Sequence, residues 1–237
     1  MFKKFIGLAL LTGLISSVQA SVVILGTRVV YPEEQGLVSV QLTNKGQRPS
    51  LVQSWLDNGD EKADPKTLKL PFVITPPVSR IDPQKQQTLR VKYTGQALPK
   101  DRESLFFFNV LDIPPKPSKA DLAKNPNYLQ FSVRSRLKFF FRPANLPYSV
   151  SEAYGKVDWK VSGNKLTVNN PTPYHLTYSY AKVVVNGKSI EAKDADMVAP
   201  FSRRTFTLKA NASQKGVVEW AVINDFGGET EGKTILK

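Results

Sequence analysis

Apolar and polar residues alternate in many short runs along this chain, and glycine, proline, asparagine and aspartate separate the runs. An alternation with a period of two places successive side chains on opposite faces of a β-strand. No segment carries the sustained stripe of an amphipathic helix. The pattern therefore predicts an all-β protein, with strands at residues 22–30, 37–44, 51–57, 72–75, 87–93, 105–111, 129–141, 157–161, 165–169, 174–185, 204–209 and 217–224.

A short segment with two prolines divides these strands into two groups. It reads Arg-Pro-Ala-Asn-Leu-Pro at residues 142–147, and the fixed backbone angle of proline makes such a connector stiff. Many short strands at this spacing are typical of β-sandwiches. We therefore predict two immunoglobulin-like sandwiches in tandem, at residues 21–143 and 144–237. A single larger barrel is the alternative.

Residues 1–20 have the pattern of an export signal. Lys3 and Lys4 precede an apolar run at residues 5–15, and the small residues Val18 and Ala20 stand where signal peptidase requires them. We predict cleavage after Ala20 and export of the remaining chain. An uncleaved membrane anchor is the alternative, but the apolar run is short for a membrane span, and no later stretch is long and apolar enough to be one.

The composition argues against several classes of function. The 237 residues include no cysteine and a single histidine, so thiol catalysis, zinc ribbons and disulfide scaffolds are not expected. Neither a phosphate-binding loop nor a nucleophile motif is present. We therefore predict a protein that is not an enzyme, with no catalytic residue, metal or cofactor. The net charge of +13 could indicate nucleic acid, but the cations are scattered and the chain carries an export signal.

Three groups of charged or apolar residues remain as candidates for a site. The acidic cluster Asp57, Asp60, Glu61 and Asp64 lacks the spacing of a calcium loop, and we interpret it as a solvated turn. Arg28 and Lys138 each interrupt a strand that is otherwise mostly apolar. A cation in such a run must reach solvent, pair with an acid or bind an anion, because burying it alone is costly.

The predicted strand at residues 129–141 has one apolar and one polar face. Leu129, Phe131 and Val133 alternate with polar residues, and a loop rich in prolines precedes them. Such a strand is either an ordinary member of a sandwich or an edge with which another chain pairs.

Five motifs resemble those of the periplasmic pilus-assembly chaperones of the chaperone–usher pathway, and they occur in the same order along the chain as in that family. The segment LPKDRESLFFFNVLDIPP is the most informative, and GTRVVYP precedes it. SRLKFFFRP, NPTPYHLTY and INDFGG follow it. The resemblance covers nearly all of the chain after residue 20.

The resemblance implies two immunoglobulin-like domains in an L-shaped arrangement with a cleft between them. It implies a chaperone that binds pilus or fimbrial subunits in the periplasm, caps their hydrophobic groove with a donated strand and delivers them to an outer-membrane usher. Leu129, Phe131 and Val133 would fill that groove.

The charged residues also match positions of this family. Arg28 and Lys138 match the cleft pair that holds the terminal carboxylate of the subunit. Glu103, Arg142 and Asp225 match an interdomain ion network. Residues 114–128 lack the length and the cysteine pair of the long-loop branch, which indicates the class with a short F1–G1 loop.

Several questions stay open on the sequence. Lys138 has the opposite parity to Leu129, Phe131 and Val133, which a bulge or twist between them could reconcile. A homodimer in which a second copy covers the apolar strand is possible. The alternatives from other classes are a secreted two-domain adhesion or receptor module, and a periplasmic hydrolase that would lack the usual catalytic groups.

Overall fold

The computed structural model describes residues 21–124 and 127–236, and β-strands form most of it. The all-β prediction is confirmed. The expected export signal and its cleavage site at residues 1–20 lie outside the described residues. In the part of the chain that is described, no helix has the length and apolar character needed to cross a membrane.

The strands are numbered in chain order. They are β1 (Val22–Ile24), β2 (Arg28–Pro32), β3 (Leu37–Asn44), β4 (Ser50–Asp57), β5 (Phe72–Thr75), β6 (Val78–Ile81), β7 (Gln86–Tyr93), β8 (Ser104–Ile113), β9 (Val133–Arg142), β10 (Asp158–Ser162), β11 (Lys165–Asn170), β12 (Leu176–Val185), β13 (Lys188–Glu191), β14 (Met197–Val198), β15 (Ser202–Thr207), β16 (Val217–Ile223) and β17 (Glu229–Ile235). The short helices are α1 (Lys119–Lys124) and α2 (Val150–Ala153), with a 3-10 turn at Glu33–Gln35.

The first nine strands form one sandwich of two sheets. One sheet has the order β1-β3-β7-β5 and the other has the order β2-β9-β8-β4-β6. Strand β2 runs parallel to β9, whereas β9 runs antiparallel to β8. An aromatic core that includes Tyr31, Phe108, Phe139 and Phe141 lies between the sheets, and each of these side chains is fully buried.

The predicted strand at residues 22–30 is two strands, which is a correction. Strand β1 pairs with β3 in one sheet, and β2 pairs with β9 in the other. Gly26 lies between them with a φ of 101°, a conformation that is open to glycine and strained for other residues. The chain therefore crosses between the sheets just before Arg28.

The remaining strands form a second sandwich. Its sheets have the orders β10-β11-β15 and β13-β12-β16-β17, and β14 pairs with β12. Trp159, Tyr178, Phe206 and Trp220 are buried between these sheets.

The predicted strand at residues 129–141 is shorter than expected. Strand β9 begins at Val133, whose partner on β8 is Asp112. Two residues after Asp112, Pro114 and Pro115 follow the end of β8, and proline has no N–H to donate to a ladder. Leu129 and Phe131 therefore lie outside the sheet, which contradicts the prediction for the start of this strand.

Candidate functional site

Three apolar side chains at and before the start of β9 are exposed. Leu129 is 78% exposed and Phe131 is 64% exposed, while Val133 retains 36% exposure. We call these three residues the apolar stripe. Exposing large apolar side chains together is unusual on a folded monomer and marks an interaction surface or an aggregation hazard.

One side of β9 is also unpaired at this end. Strand β2 pairs only with the half of β9 that begins at Lys138, while β8 pairs with the other side from Val133 to Phe141. Within the described part of the chain, residues 133–137 therefore have a free backbone edge. We call it the open edge.

The parity of Lys138 needs no bulge. The β8–β9 ladder runs without a shift from Ser104↔Phe141 to Asp112↔Val133. Phe139 and Phe141 face the core of the first sandwich, on the same side of β9 as Val133, and Lys138 faces the other side. Val133 and Lys138 therefore lie on opposite faces of one regular strand, and the bulge considered from sequence is absent from β9.

Arg28 and Lys138 lie side by side at the end of the open edge. They are direct partners in the parallel pairing of β2 with β9. Arg28 Nη1 donates a hydrogen bond of 2.7 Å to the carbonyl oxygen of Ile223, and Lys138 Nζ donates one of 3.4 Å to Thr177 Oγ1. Both acceptors belong to the second sandwich, so this cation pair lies between the domains.

The cation pair is incompletely compensated. Burial lowers the pKa of Arg28, and the charges of Asp225 and Glu103 only partly oppose this. Burial also lowers the pKa of Lys138, and repulsion by Arg28 lowers it further. The carboxylate of Asp196, 3.8 Å from Lys138 Nζ, raises this pKa but does not outweigh the other two effects. Arg28 Nε is buried without a hydrogen-bond partner among the described residues. The site would thus gain from an added anion, which would accept charge-assisted hydrogen bonds.

Glu103, Arg142 and Asp225 are in contact, as a network between the domains requires. Arg142 donates to Asp225 in a bidentate pair at 2.7 and 2.9 Å, and its Nε donates to Glu103 at 2.8 Å. Burial would lower the pKa of Arg142, but its hydrogen bonds to the two carboxylates and their charges raise it above its ordinary value. Glu103 also accepts a hydrogen bond of 2.8 Å from the backbone N–H of His175.

We expect Arg142→Ala to lower the free energy of unfolding by about 3 kcal/mol, because the buried Glu103 loses its cation. Urea denaturation of the variant and the parent chain measures this loss. Arg80→Ala is the matched control, since Arg80 forms an exposed pair with Asp82 of a kind that contributes about 0–1 kcal/mol. Equal losses in the two variants would contradict a structural role for the network.

Sequence reasoning missed two further contacts between the domains. The guanidinium of Arg102 lies 4.8 Å from the centre of the Phe201 ring, in a cation–π arrangement. His175, which the sequence left as either a packed or a surface residue, is packed, with its ring centre 5.5 Å from that of Phe140. Within residues 21–124 and 127–236, no group of three or more histidine, cysteine, aspartate or glutamate side chains is arranged to hold a metal ion.

The acidic cluster is only partly a solvated turn, which corrects the interpretation from sequence. Asp60, Glu61 and Asp64 are exposed, but only 1% of the Asp57 side chain is. Asp57 accepts two hydrogen bonds from Arg136 on β9, at 2.6 and 2.9 Å, and one of 2.8 Å from Asn109 on β8. The arginines on the polar face of residues 129–141 were the available signal that a buried acid faces them.

Asp57 provides a pH-dependent contribution to stability. Burial raises the pKa of this carboxyl, but hydrogen bonds from Arg136, Asn109 and the Gly59 N–H outweigh it, so the pKa is lower in the folded state. The contribution is therefore complete above the unfolded pKa of about 3.9 and is lost as the pH falls through the folded pKa.

Asp57→Asn is expected to cost about 2–3 kcal/mol at neutral pH, and the difference from the parent chain should shrink below about pH 4. Urea unfolding at pH 7, 4 and 3 measures it. The exposed Asp64→Asn serves as control. A constant difference across this pH range would show that the ion pair with Arg136 is not its source.

Two family models match the chain. The model described as "Pili and flagellar-assembly chaperone, PapD N-terminal domain" matches residues 21–147, and "Pili assembly chaperone PapD, C-terminal domain" matches residues 152–234. The chain is 46% identical over 222 residues to chaperone protein HifB of Haemophilus influenzae, covering 93% of this chain and 90% of that one. It is 46% identical over 231 residues to the probable fimbrial chaperone YadV of Escherichia coli K12, covering 93% and 92%.

Solved structures agree with these matches. The crystal structure of the YadV chaperone superposes with a TM-score of 0.77 at 42% identity, covering 91% of this chain and 100% of that one. The SafB chaperone of Salmonella enterica, solved in complex with the SafA pilin, gives a TM-score of 0.75 at 30% identity, covering 92% and 97%.

Proposed function

The chain belongs to the family of pilus and flagellar assembly chaperones, and from this premise we propose that it captures pilus subunits by lending them a strand. The observation that carries the proposal is the open edge of β9, which ends at the cation pair and continues into the apolar stripe. A subunit strand that pairs along this edge would satisfy the backbone groups of both chains.

The position of β2 indicates the direction of that subunit strand. Strand β2 runs parallel to β9 and starts at Arg28, beside Lys138. A subunit strand whose carboxyl end lies between these two cations would occupy the line of β2 along residues 133–137 and would run in the same direction. Its terminal carboxylate would supply the anion that the cation pair lacks, and it would accept hydrogen bonds from both side chains.

The carboxylate would also set the register of pairing. A slip of one residue turns every side chain of a strand to the opposite face, so the position of the carboxylate decides which subunit pockets meet the apolar stripe. Burying its three side chains contributes roughly 1.5–3 kcal/mol each, before the cost of association.

The cellular role follows from the same proposal. We place the mature chain in the periplasm, after cleavage between Ala20 and Ser21, with a domain boundary between residues 143 and 144. Its last step as a chaperone would be delivery of the subunit to an outer-membrane usher. The network of Glu103, Arg142 and Asp225 would hold the cleft at a fixed angle. A homodimer that pairs along the open edge in the absence of subunit remains a prediction. An adhesion or receptor module would require neither the open edge nor the buried cations.

Co-expression with a pilus subunit in the periplasm tests this function. We expect a tagged chain to purify with the subunit in equal amounts, and a subunit extended by two glycines at its carboxyl end to be captured far less. Failure to capture the natural subunit would contradict the chaperone function. Equal capture of the extended subunit would contradict the carboxylate anchor but not the chaperone function.

A further inference from the structure

A carboxylate occupies a core position at the end of β8. The inward-facing residues of this strand are Phe106, Phe108, Val110 and Asp112, and all four are buried. Asp112 is 6% exposed. A buried carboxylate is costly unless hydrogen bonds and a positive charge compensate it.

The hydrogen bonds to Asp112 come from residues 21 and 22 and reach only one of its oxygens. Oδ2 accepts from Ser21 Oγ at 2.5 Å and from the backbone N–H of Val22 at 3.1 Å. Oδ1 is buried without a hydrogen-bond partner, and no side chain in the described ranges forms an ion pair with Asp112. The guanidinium of Arg48 donates to Tyr128 Oη and to the Lys116 carbonyl oxygen, at 3.3 Å each.

Ser21 is held firmly in this corner between the two sheets. Its hydroxyl also lies 2.9 Å from that of Ser50 on β4, and its carbonyl oxygen accepts a hydrogen bond of 2.6 Å from the Lys45 N–H. Gly46 packs so closely that a Cβ there would lie 2.8 Å from the Cβ of Ser21. Ser21 is therefore fixed beside the carboxylate of Asp112, with its hydroxyl and the next backbone N–H bonded to Oδ2.

We propose that the missing positive charge is the α-ammonium group of Ser21 in the processed chain. Hydrolysis of the Ala20–Ser21 bond adds water, leaves a carboxylate on Ala20 and gives Ser21 a free amine, which is protonated at neutral pH. That ammonium donates to Oδ1 of Asp112 and completes its set of partners. The inference rests on the export and cleavage proposed above.

The pair would link processing to the subunit site. Asp112 is the partner of Val133 in the last pair of the β8–β9 ladder, where the apolar stripe leaves the sheet. An ammonium on Ser21 would fasten β1, in one sheet, to this point of the other sheet. The precursor carries an amide at the same position, so its Asp112 would keep an uncompensated charge until the signal is removed.

A double-mutant cycle tests the pair. One arm is the chain that begins at Ser21, and the second carries one extra glycine before Ser21, which moves the ammonium away. Asp112→Asn in each of the two chains completes the cycle, because asparagine keeps an acceptor for Ser21 and Val22 but removes the charge. We expect the glycine or Asp112→Asn alone to lower Tm by about 5 °C, and the two together to lower it by little more.

Three outcomes would overturn the proposal. The first is a Tm of the glycine-extended chain equal to that of the parent, and the second is a double variant whose loss of Tm is the sum of the two single losses. The third is a pKa of the Ser21 amine, measured from its rate of acylation, that is the same in the parent and in Asp112→Asn. We expect that pKa to lie above the ordinary range of about 7.7–8.0 only when Asp112 is present. Asp82→Asn, at an exposed carboxylate, is the control. Mass spectrometry of the exported chain tests cleavage separately, and none of these measurements needs a subunit.

Discussion

Arg28→Ala and Lys138→Ala are each expected to weaken capture of a pilus subunit by at least about 100-fold. Removing one cation leaves the subunit carboxylate in a partly buried site with half of its compensation. Breaking a buried charge pair in this way costs about 3–5 kcal/mol, and each 1.4 kcal/mol is about a tenfold change in affinity. Co-purification of the tagged variants with the subunit measures the loss.

The same variants should leave the free chaperone folded. Burial lowers the pKa of both side chains, which means that the unbound protein holds these cations at a cost. Removing either one relieves that cost, although Arg28→Ala also loses the hydrogen bond to Ile223. Tm should therefore change little in both variants. Arg203→Ala, on β15 of the second sandwich, is the control for loss of positive charge. Subunit recovery at the parent level with both variants would refute the carboxylate anchor.

The alternation of apolar and polar residues predicted the strands well because burial of one face acts locally. Residues 105–111, for example, form the centre of β8 (Ser104–Ile113). The alternation could not say where a partner strand ends. The ladder of β9 stops at Val133 because Pro114 and Pro115 end the neighbouring strand. Leu129 and Phe131 are therefore not in a strand, although their alternation predicted one.

The candidate site depends on pairs that are distant in sequence. Arg28 and Lys138 each stood out as a charge in an apolar run, but their contact arises from the parallel register of β2 and β9. Only the family resemblance had joined them. Asp57 was assigned to solvent because its partner Arg136 lies on another strand. Local patterns therefore identified which charges were unusual, and the pairing of strands decided what they contact.

The structure decides which residue of the apolar stripe best tests the donated strand. Val133→Asp would place a carboxylate directly opposite Asp112 in the ladder. Like charges directly opposite each other on neighbouring strands destabilise a sheet, so this variant would damage the free chaperone as well. Phe131 lies outside the ladder and is 64% exposed, which makes it the cleaner position.

Phe131→Asp is expected to weaken subunit binding by about 100-fold or more and to leave Tm of the free chaperone nearly unchanged. The variant loses the burial of a large apolar side chain, about 1.5–3 kcal/mol, and would place an unpaired carboxylate in an apolar groove, which adds a further cost of about 1–3 kcal/mol or more. Ser132→Asp is the matched control, because it adds the same charge one position away, on the polar side of the alternation. Titration of a chaperone-free subunit, kept unfolded until mixing, gives both affinities. If the two variants lose affinity equally, the loss is an effect of charge, and the apolar stripe does not fill the groove. If only Phe131→Asp loses affinity, the groove of the subunit binds the apolar side chains at alternate positions.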